Sequence, residues 1–295
     1  MVFKKLLSRL KFIWSPSSTD SAGRYPHFLC IGAQRSGTTW LHENLNRHPD
    51  IYLPPGKEVH YFDQRFGPEP HRWHPSRVGC LKSREATKQG AKVEKWFHLF
   101  ADSYTVNDEW YAKVFSFAPP SAVIGDITPA YAILPDAGVS HAARLMPEAN
   151  IIYILRDPVE RMVSGAWHEL MLGRKGKDLP TWEEFKSELQ GERCRSRSRY
   201  SQTIKTWQQH FPSQRLLIIF HDDIVSRPHY VLQKVCDHLK VSYDPSFFPS
   251  VDTKINSNKA IPPEYLEPAR QLARESCEGE IARLSELVGS IPEKW

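Results

Sequence analysis

Short apolar runs alternate along the chain with stretches that have helical periodicity. The clearest run is NIIYILRD at 150–157, and it precedes a helix predicted from Pro158 to about Leu172. RLLIIFHDDI at 215–224 repeats this strand signal, and an amphipathic stretch follows it. An uninterrupted apolar run is typical of a strand that is covered on both faces. Repeated steps from strand to helix therefore predict a parallel sheet with helices on both sides.

Three shorter apolar runs complete the predicted sheet. They are FLCI at 28–31, IYL at 51–53 and AVIGD at 122–126. A helix is predicted over 38–46, and it stops there because Pro49 disfavours helical backbone at the residue before it. The length of 295 residues fits one large domain. We predict an α/β fold over residues 26–295, namely a P-loop-type three-layer α/β/α domain with a central parallel sheet.

The first 25 residues carry a basic amphipathic segment and a linker. In MVFKKLLSRLKFIW one helical face is apolar, while lysines and an arginine occupy the other faces. Such a helix either lies on an anionic membrane surface or packs on its own domain, and the pattern leaves both open. SPSSTDSAGRYP then has the composition of a linker. No apolar run reaches 18 residues, so no membrane-spanning helix is predicted.

The composition narrows the class of ligand and compartment. Hydrophobic residues make up 40% and charged residues 25%, as in an ordinary globular protein. A net charge of +5 favours anionic ligands and is too small to indicate nucleic acid. The five cysteines form no CxxC pair, so we expect a reduced, cytoplasmic protein, with possible peripheral membrane contact through the N-terminus. No Cys, His or Asp spacing typical of a metal site occurs, and no metal is expected.

FLCIGAQRSGTTWL at 28–41 has the layout of a phosphate-binding loop. Gly32 and Gly37 bracket four residues between an apolar strand and a helix, and they permit a tight turn. Thr38 stands where the lysine of nucleoside triphosphatases would follow the second glycine. Donors remain at the start of the helix, so an anion is the expected ligand. A P-loop kinase or NTPase, or a plain glycine turn without ligand, are the alternatives at this point.

Two motifs together resemble the family of sulfotransferases that use 3′-phosphoadenosine 5′-phosphosulfate (PAPS). GAQRSGTTWL is similar to the family's 5′-phosphosulfate loop. IIYILRDPVERMVSGAWHE is similar to its 3′-phosphate segment, in which an arginine ends a strand and a serine follows eight residues later, here Arg156 and Ser164. An arginine at a strand end can give a charge-assisted, bidentate contact to phosphate. The resemblance implies a metal-independent enzyme with PAPS as co-substrate.

Further nucleotide-binding residues are implied by the same resemblance. Trp40 is similar to a tryptophan that stacks on adenine, although a core position is an equal alternative because large aromatic side chains are usually buried. Tyr200 is similar to a tyrosine that lines the nucleotide pocket, with Ser198 near the place of the family's usual glycine. DTKINSNKAIP is a candidate closing loop. The predicted nucleotide-binding set is Arg35, Ser36, Gly37, Thr38, Thr39, Trp40, Arg156, Ser164, Tyr200, Lys254 and Lys259.

KEVHYFD at 57–63 resembles the KE-x-HFFD stretch of heparan sulfate 3-O-sulfotransferases. The resemblance implies that Glu58 is the general base and that His60 and Asp63 lie beside the acceptor. If this segment is extended, Glu58 and His60 alternate onto one face. Arg35 is predicted to act electrostatically on the leaving oxygen, because arginine does not give up its proton. The predicted catalytic residues are therefore Glu58, Arg35 and His60.

GDITPAYAILP resembles the E-K-T-P-x-Y stretch of the same enzymes and adds Thr128 and Tyr131 to the predicted acceptor side. Ile127 replaces the lysine of that motif, which weakens the case for a polyanionic acceptor. We therefore expect transfer of a sulfuryl group to a hydroxyl of a carbohydrate or glycolipid. A P-loop kinase and a non-catalytic nucleotide-binding scaffold are the alternatives.

Overall fold

The fold is taken from a computed structural model that describes residues 23–68, 96–100, 105–172, 174, 179–249, 251–252 and 260–295. The predicted N-terminal segment lies outside these ranges except for its last three residues. Lys254 and Lys259 also lie outside them. In the described part of the chain, no helix is long and apolar enough to cross a bilayer.

Five parallel strands form one sheet. They are β1 (Phe28–Gly32), β2 (Ile51–Tyr52), β3 (Val123–Ile127), β4 (Asn150–Leu155) and β5 (Leu216–Phe220), in the spatial order β2-β3-β1-β4-β5. β2 is short because Pro54 and Pro55 follow it and lack the N–H groups that extend a ladder. Phe28 lies opposite Gly125, where a Cβ would come within 2.1 Å of the phenylalanine ring. The glycine therefore lets β1 and β3 pair with a large ring between them.

Helices connect and cover the strands. They are α1 (Thr38–Leu45), α2 (Tyr61–Phe66), α3 (Asp108–Val114), α4 (Asp136–Leu145), α5 (Pro158–Met171), α6 (Trp182–Gln190), α7 (Glu192–Ser196), α8 (Tyr200–Gln208), α9 (His221–Ser226), α10 (Pro228–Leu239), α11 (Pro263–Ser276) and α12 (Glu280–Val288). Short 3-10 turns cover His98–Phe100, Pro129–Ile133, Ser213–Arg215 and Pro245–Phe247. The α5 helix starts as the sequence indicates, because the Asp157 side chain accepts hydrogen bonds from the first-turn N–H groups and Pro158 follows it.

The sheet carries a separate hydrophobic core on each face. Alternate residues of β1 divide between them: Leu29 and Ile31 pack into one core, Phe28 and Cys30 into the other. The α8 helix covers the first face and α10 the second. Each face is therefore covered by helices, and the predicted three-layer α/β/α architecture is confirmed.

The structure corrects one predicted boundary. The strand signal at 215–224 ends at Phe220, and the following residues form α9 instead of continuing the strand. Asp222 and Asp223 lie in the first turn of this helix, where negative charge is favoured by the helix dipole. The turn brings α9 back over the edge of the sheet where the strands end.

Candidate active site

The phosphate-binding loop lies at the carboxyl edge of the sheet, between β1 and α1. Its backbone is tightly curved, with left-handed φ angles of 70° at Arg35 and 102° at Gly37. A Cβ at Gly37 would lie 3.0 Å from the Ile224 side chain and 3.5 Å from the His221 ring, both on α9. The glycine therefore serves both the turn and the close approach of α9.

The structure brings the two sequence motifs together at this loop. Arg35 Nε donates a hydrogen bond of 3.2 Å to Ser164 Oγ on α5. Arg156 donates from its guanidinium to the carbonyl oxygen of Arg35 over 3.2 Å. The hydroxyl of Tyr200, at the start of α8, donates to the carbonyl oxygen of Arg156 over 2.9 Å. Four residues predicted to bind nucleotide are thus connected by consecutive contacts.

The loop region carries an excess of positive charge. Burial and the neighbouring Arg156 guanidinium lower the pKa of Arg35. Among the described residues, Arg156 pairs with Glu160 at 4.0 Å, and the charge of Glu169 partly offsets that of Arg35. Two neighbouring guanidinium groups that repel each other favour a bound anion. The residues present therefore fit a phosphate or sulfate group.

Ser36, Thr38 and Thr39 place hydroxyl groups along the start of α1. The Ser36 hydroxyl is buried next to the Tyr200 phenol, without a well-aligned hydrogen bond among the described residues. Lys57 Nζ donates to Thr38 Oγ1 over 3.4 Å and to Thr39 Oγ1 over 3.2 Å. Lys57 was not among the predicted site residues. Its place in KEVHYFD was the available signal, but spacing alone does not tell that this lysine reaches the loop.

Glu58, His60 and Asp63 form a chain of polar contacts beside Lys57. Glu58 Oε1 lies 3.0 Å from Lys57 Nζ, and Glu58 Oε2 lies 3.3 Å from His60 Nε2. The other ring nitrogen of His60, Nδ1, is 2.7 Å from Asp63 Oδ2. His60 and Asp63 are buried, whereas 26% of the Glu58 side chain is exposed. Of these three side chains, Glu58 is therefore the one that a substrate can reach.

The backbone of this segment differs from the predicted extended conformation. Glu58 has a φ of 69° and His60 a φ of 57°, both in the left-handed region. Four described non-glycine residues have positive φ, and three of them, Arg35, Glu58 and His60, belong to this site. Sparsely populated backbone conformations of this kind cluster at functional sites. The two side chains meet because of this local geometry and not because of strand alternation.

The electrostatics keep Glu58 ionised and His60 protonated. Burial alone would raise the pKa of Glu58, but the Lys57 ammonium and His60 bring it well below its usual range. Burial alone would lower the pKa of His60, but its contacts with Asp63 and Glu58 raise that pKa to about 9. Near neutral pH the carboxylate can accept a proton and the imidazolium cannot. This arrangement favours Glu58 over His60 as the base.

Thr128 and Tyr131, predicted on the acceptor side, are buried around Asp126 at the end of β3. Asp126 accepts hydrogen bonds from Thr128 Oγ1 at 2.7 Å, from the Tyr131 hydroxyl at 2.8 Å and from the Tyr111 hydroxyl at 2.9 Å. The Tyr131 hydroxyl also accepts from the N–H of Tyr61, which follows His60. Tyr131 therefore contacts the segment that carries His60, Thr128 is bonded to Asp126, and both side chains are fully buried.

Comparison with known proteins assigns the chain to a family. A model of the sulfotransferase family matches residues 26–245. The chain belongs to the sulfotransferase family. It is 25% identical over 279 residues to heparan sulfate glucosamine 3-O-sulfotransferase 3B1 of Homo sapiens, covering 90% of this chain and 58% of that protein. It is 24% identical over 270 residues to the human 3A1 enzyme, covering 88% of this chain and 54% of that one.

The chain thus spans little more than half the length of these curated relatives. Among solved structures, a sulfotransferase from Alicyclobacillus acidocaldarius superposes with a TM-score of 0.63 at 21% identity. The match covers 92% of this chain and 98% of that one. This likeness supports the fold of the sulfotransferase domain.

Trp40 in this sulfotransferase-family domain is a core residue of α1. It is 7% exposed, and its indole Nε1 donates a hydrogen bond of 2.8 Å to the carbonyl oxygen of Val251. The sequence left two roles open for Trp40, stacking on adenine or packing in the core, and the structure shows the core position. The indole thus holds the backbone at Val251, just before the predicted closing loop. Residues 253–259 of that loop lie outside the described residues.

Ser198 of this sulfotransferase-family chain contacts a buried arginine. Arg161 on α5 donates from Nε to Ser198 Oγ over 2.6 Å and from its guanidinium to the Cys194 carbonyl oxygen over 2.6 Å. These bonds attach α7 and the start of α8 to α5, and so they fix Tyr200 beside Arg156. No group of three or more His, Cys, Asp or Glu side chains in the described ranges could hold a metal ion. Metal independence stays a prediction.

The raised pKa of His60 predicts a pH-dependent stability. Its contribution is fully present below the ordinary value of 6.5 and is lost as the pH rises through about 9. We expect the free energy of unfolding to fall by up to about 3 kcal/mol over that window, because one pKa unit is worth about 1.4 kcal/mol. Urea unfolding at pH 6.5 and 9.5 measures this loss, and the His60→Gln variant should show a smaller one. Equal losses in both proteins would contradict the assignment.

Proposed function

We propose that this chain transfers a sulfuryl group from PAPS to a hydroxyl group of a carbohydrate. One observation carries the proposal: Lys57 joins the hydroxyls of the phosphate-binding loop to the Glu58 carboxylate through contacts of 3.0 to 3.4 Å. A donor-binding loop and a base are thus adjacent, as in-line transfer requires by analogy with phosphoryl transfer. Membership of the sulfotransferase family supports the same reaction class.

The residues that would hold PAPS lie on both sides of the loop. Arg35 and the loop hydroxyls face the 5′ end, and Arg156 with Ser164 would bind the 3′-phosphate. PAPS supplies an activated sulfonate whose sulfur is attached to a phosphate leaving group. The loop offers backbone N–H groups at the start of α1 and two guanidinium groups, which together suit a ligand with two anionic ends.

Glu58 is proposed to accept the proton of the acceptor hydroxyl as its oxygen bonds to sulfur. The bond between sulfur and the phosphate oxygen breaks in the same displacement, and its electron pair stays on that oxygen. Arg35 stabilises the charge that builds there. His60, held protonated by Asp63, contacts one oxygen of Glu58 and Lys57 contacts the other, so the exposed part of the carboxylate would meet the acceptor. Burial of Asp63 and His60 keeps water from competing for these contacts.

A sugar hydroxyl is the acceptor that the comparisons favour. The two curated relatives described above are named for glucosamine in heparan sulfate. Here Ile127 stands in the position of a lysine in the resembling motif, so this chain lacks a cation that would suit a polyanionic sugar. We propose an uncharged carbohydrate or glycolipid hydroxyl, and a cytoplasmic location with membrane contact through the basic N-terminus.

Isothermal titration tests the proposal. The purified chain should bind 3′-phosphoadenosine 5′-phosphate (PAP) with micromolar affinity in EDTA, and it should not bind ATP with magnesium. The reverse result would favour the kinase alternative. A sulfotransferase assay with PAPS and a panel of carbohydrate acceptors then separates an enzyme from a non-catalytic scaffold, since a scaffold binds PAP without turnover.

Arg156→Ala should mainly weaken nucleotide binding. We expect the affinity for PAP to fall about 10- to 100-fold, because a charge-assisted contact to phosphate is worth roughly 1.5–3 kcal/mol. Arg274→Ala on the exposed face of α11 is the matched control, since among the described residues that arginine pairs with Glu267 of the same helix. Unchanged affinity with lost turnover would contradict the placement of the 3′-phosphate at Arg156.

A further inference from the structure

The position of Lys57 carries an inference beyond the general reaction. Its ammonium group contacts Thr38 Oγ1, Thr39 Oγ1 and Glu58 Oε1 at 3.4, 3.2 and 3.0 Å, and only 20% of its side chain is exposed. The lysine comes from the connection between β2 and α2, not from the phosphate-binding loop. A long, flexible side chain is thus held in one place by three oxygen atoms.

Comparison with the phosphate-binding loop of nucleoside triphosphatases shows which groups the Lys57 ammonium replaces. In a nucleoside triphosphatase the residue after the second glycine is a lysine that reaches the phosphates, and the next residue is a Ser or Thr whose hydroxyl binds magnesium. Here these two positions are Thr38 and Thr39. The Lys57 ammonium lies against both hydroxyls. The single positive charge of Lys57 thus occupies the place of the loop lysine, and it also lies where a magnesium ion would bind Thr39.

We propose that Lys57 is the cation that contacts the transferred sulfonate, in place of a loop lysine and a magnesium ion. This inference rests on the proposed function. A sulfonate carries one negative charge less than a terminal phosphate, so one ammonium group suits it where a triphosphate needs a lysine and a divalent metal. Lys57 is a catalytic residue in this account because it touches the reacting group.

The contact with Glu58 couples this cation to the base. Before transfer, the ammonium balances the Glu58 carboxylate and keeps it deprotonated. When Glu58 takes the acceptor proton, its carboxylate becomes neutral and Lys57 loses that counter-charge. The ammonium is then free to balance the sulfonate oxygens during the displacement. His42, the nearby imidazole on α1, stays neutral because burial and Lys57 lower its pKa to about 4, and so it does not replace this charge.

The surroundings of Arg35 and Lys57 assign these two cations to different groups of the reacting PAPS. Arg35 is tied to Ser164 and to the Arg156 side of the loop, where the nucleotide phosphates would lie. Lys57 is tied to Glu58, where the acceptor would approach. Arg35 therefore serves the leaving oxygen, and Lys57 serves the sulfonate that moves from one oxygen to the other.

The test compares two ligands that differ by the sulfonate. Affinities for PAPS and for PAP are measured by isothermal titration in EDTA, without acceptor, for the wild-type chain, Lys57→Met and Lys57→Arg. Lys57→Met keeps the length of the side chain and removes its charge. Lys113→Met, at an exposed lysine on α3 that pairs with Glu109, is the matched control. Thermal unfolding of each variant verifies folding, and Lys57→Gln replaces Lys57→Met if the latter fails to fold.

We expect Lys57→Met to weaken PAPS binding about tenfold and PAP binding by less than about threefold, with Lys57→Arg near the wild type. Equal losses for both ligands, or no loss for either, would overturn the role of Lys57 and leave the proposed function standing. A wild-type affinity for PAPS that requires magnesium would also overturn it. If the wild-type chain binds neither ligand, the proposed function itself fails, and this inference fails with it.

Discussion

The Glu58→Gln variant is expected to lose about 10²- to 10⁴-fold in turnover while its affinity for PAP stays within about twofold of the wild type. The range is the usual contribution of a general base. Glutamine keeps the size of the side chain, but its one carbonyl oxygen can accept from only one of His60 and Lys57, and its neutral amide cannot accept the acceptor proton. Initial rates at saturating PAPS, with PAP affinity from titration, separate the loss of chemistry from a loss of binding.

The pH dependence of the wild-type rate gives an independent measure of the same residue. Since Lys57 and His60 lower the pKa of Glu58, the rate should stay high well below pH 5 as long as the chain remains folded. Glu109→Gln, at a glutamate on the surface of α3, is the control for a glutamate lost elsewhere. A fully active Glu58→Gln variant would rule out Glu58 as the base, and His60→Gln would then be the next variant to measure.

The Arg35→Ala variant is expected to lose about 10²- to 10³-fold in turnover, the scale for removing one group that stabilises developing charge. It should also bind PAP more weakly, because the proposed function assigns the guanidinium to the 5′ end of the nucleotide. Arg35→Lys keeps the charge and should recover part of the rate, although an ammonium cannot reproduce both the Ser164 contact and a bidentate contact to phosphate. Single-turnover rates at saturating PAPS isolate the chemical step from binding.

Ser164→Ala is the companion variant for the Arg35 experiment, because it removes the hydrogen bond to Arg35 Nε and leaves the charge in place. Because Ser164 is also assigned to the 3′-phosphate, its rate is compared at saturating PAPS. We expect a smaller loss than that of Arg35→Ala. If Arg35→Ala and Ser164→Ala lost the same amount, Arg35 would act through its position alone. If Arg35→Ala bound nucleotide less well and kept its full rate, its assignment to the leaving oxygen would be wrong.

Periodicity was sufficient to predict the framework of the site. The strand ending at Leu155 and the helix starting at Pro158 could be located because a buried strand and a capped helix leave clear local signals. The eight-residue spacing from Arg156 to Ser164 then places the serine two turns into that helix, on the side that faces the loop. Such relations follow from regular backbone geometry and are therefore visible in a sequence.

The residues that periodicity missed depend on irregular backbone and on distant contacts. Lys57 reaches the loop across 18 residues of sequence, by a connection that contains Pro54 and Pro55 and has no repeating geometry. The left-handed conformations of Glu58 and His60 are uncommon for residues with a Cβ, so an extended segment was the natural expectation. Tyr131 was assigned to the acceptor by its motif, whereas its buried contact with Asp126 is a tertiary feature.

The left-handed backbone at Arg35, Glu58 and His60 has a consequence for protein engineering. Each such conformation costs on the order of 1–3 kcal/mol, and glycine adopts it with much less strain. At Glu58 and His60 this strain is offset by the ion pairs that run from Lys57 through Glu58 and His60 to Asp63. Glycine at either position would relax the backbone but leave buried charges unpaired, so we expect no net gain in heat resistance from changes in the active site.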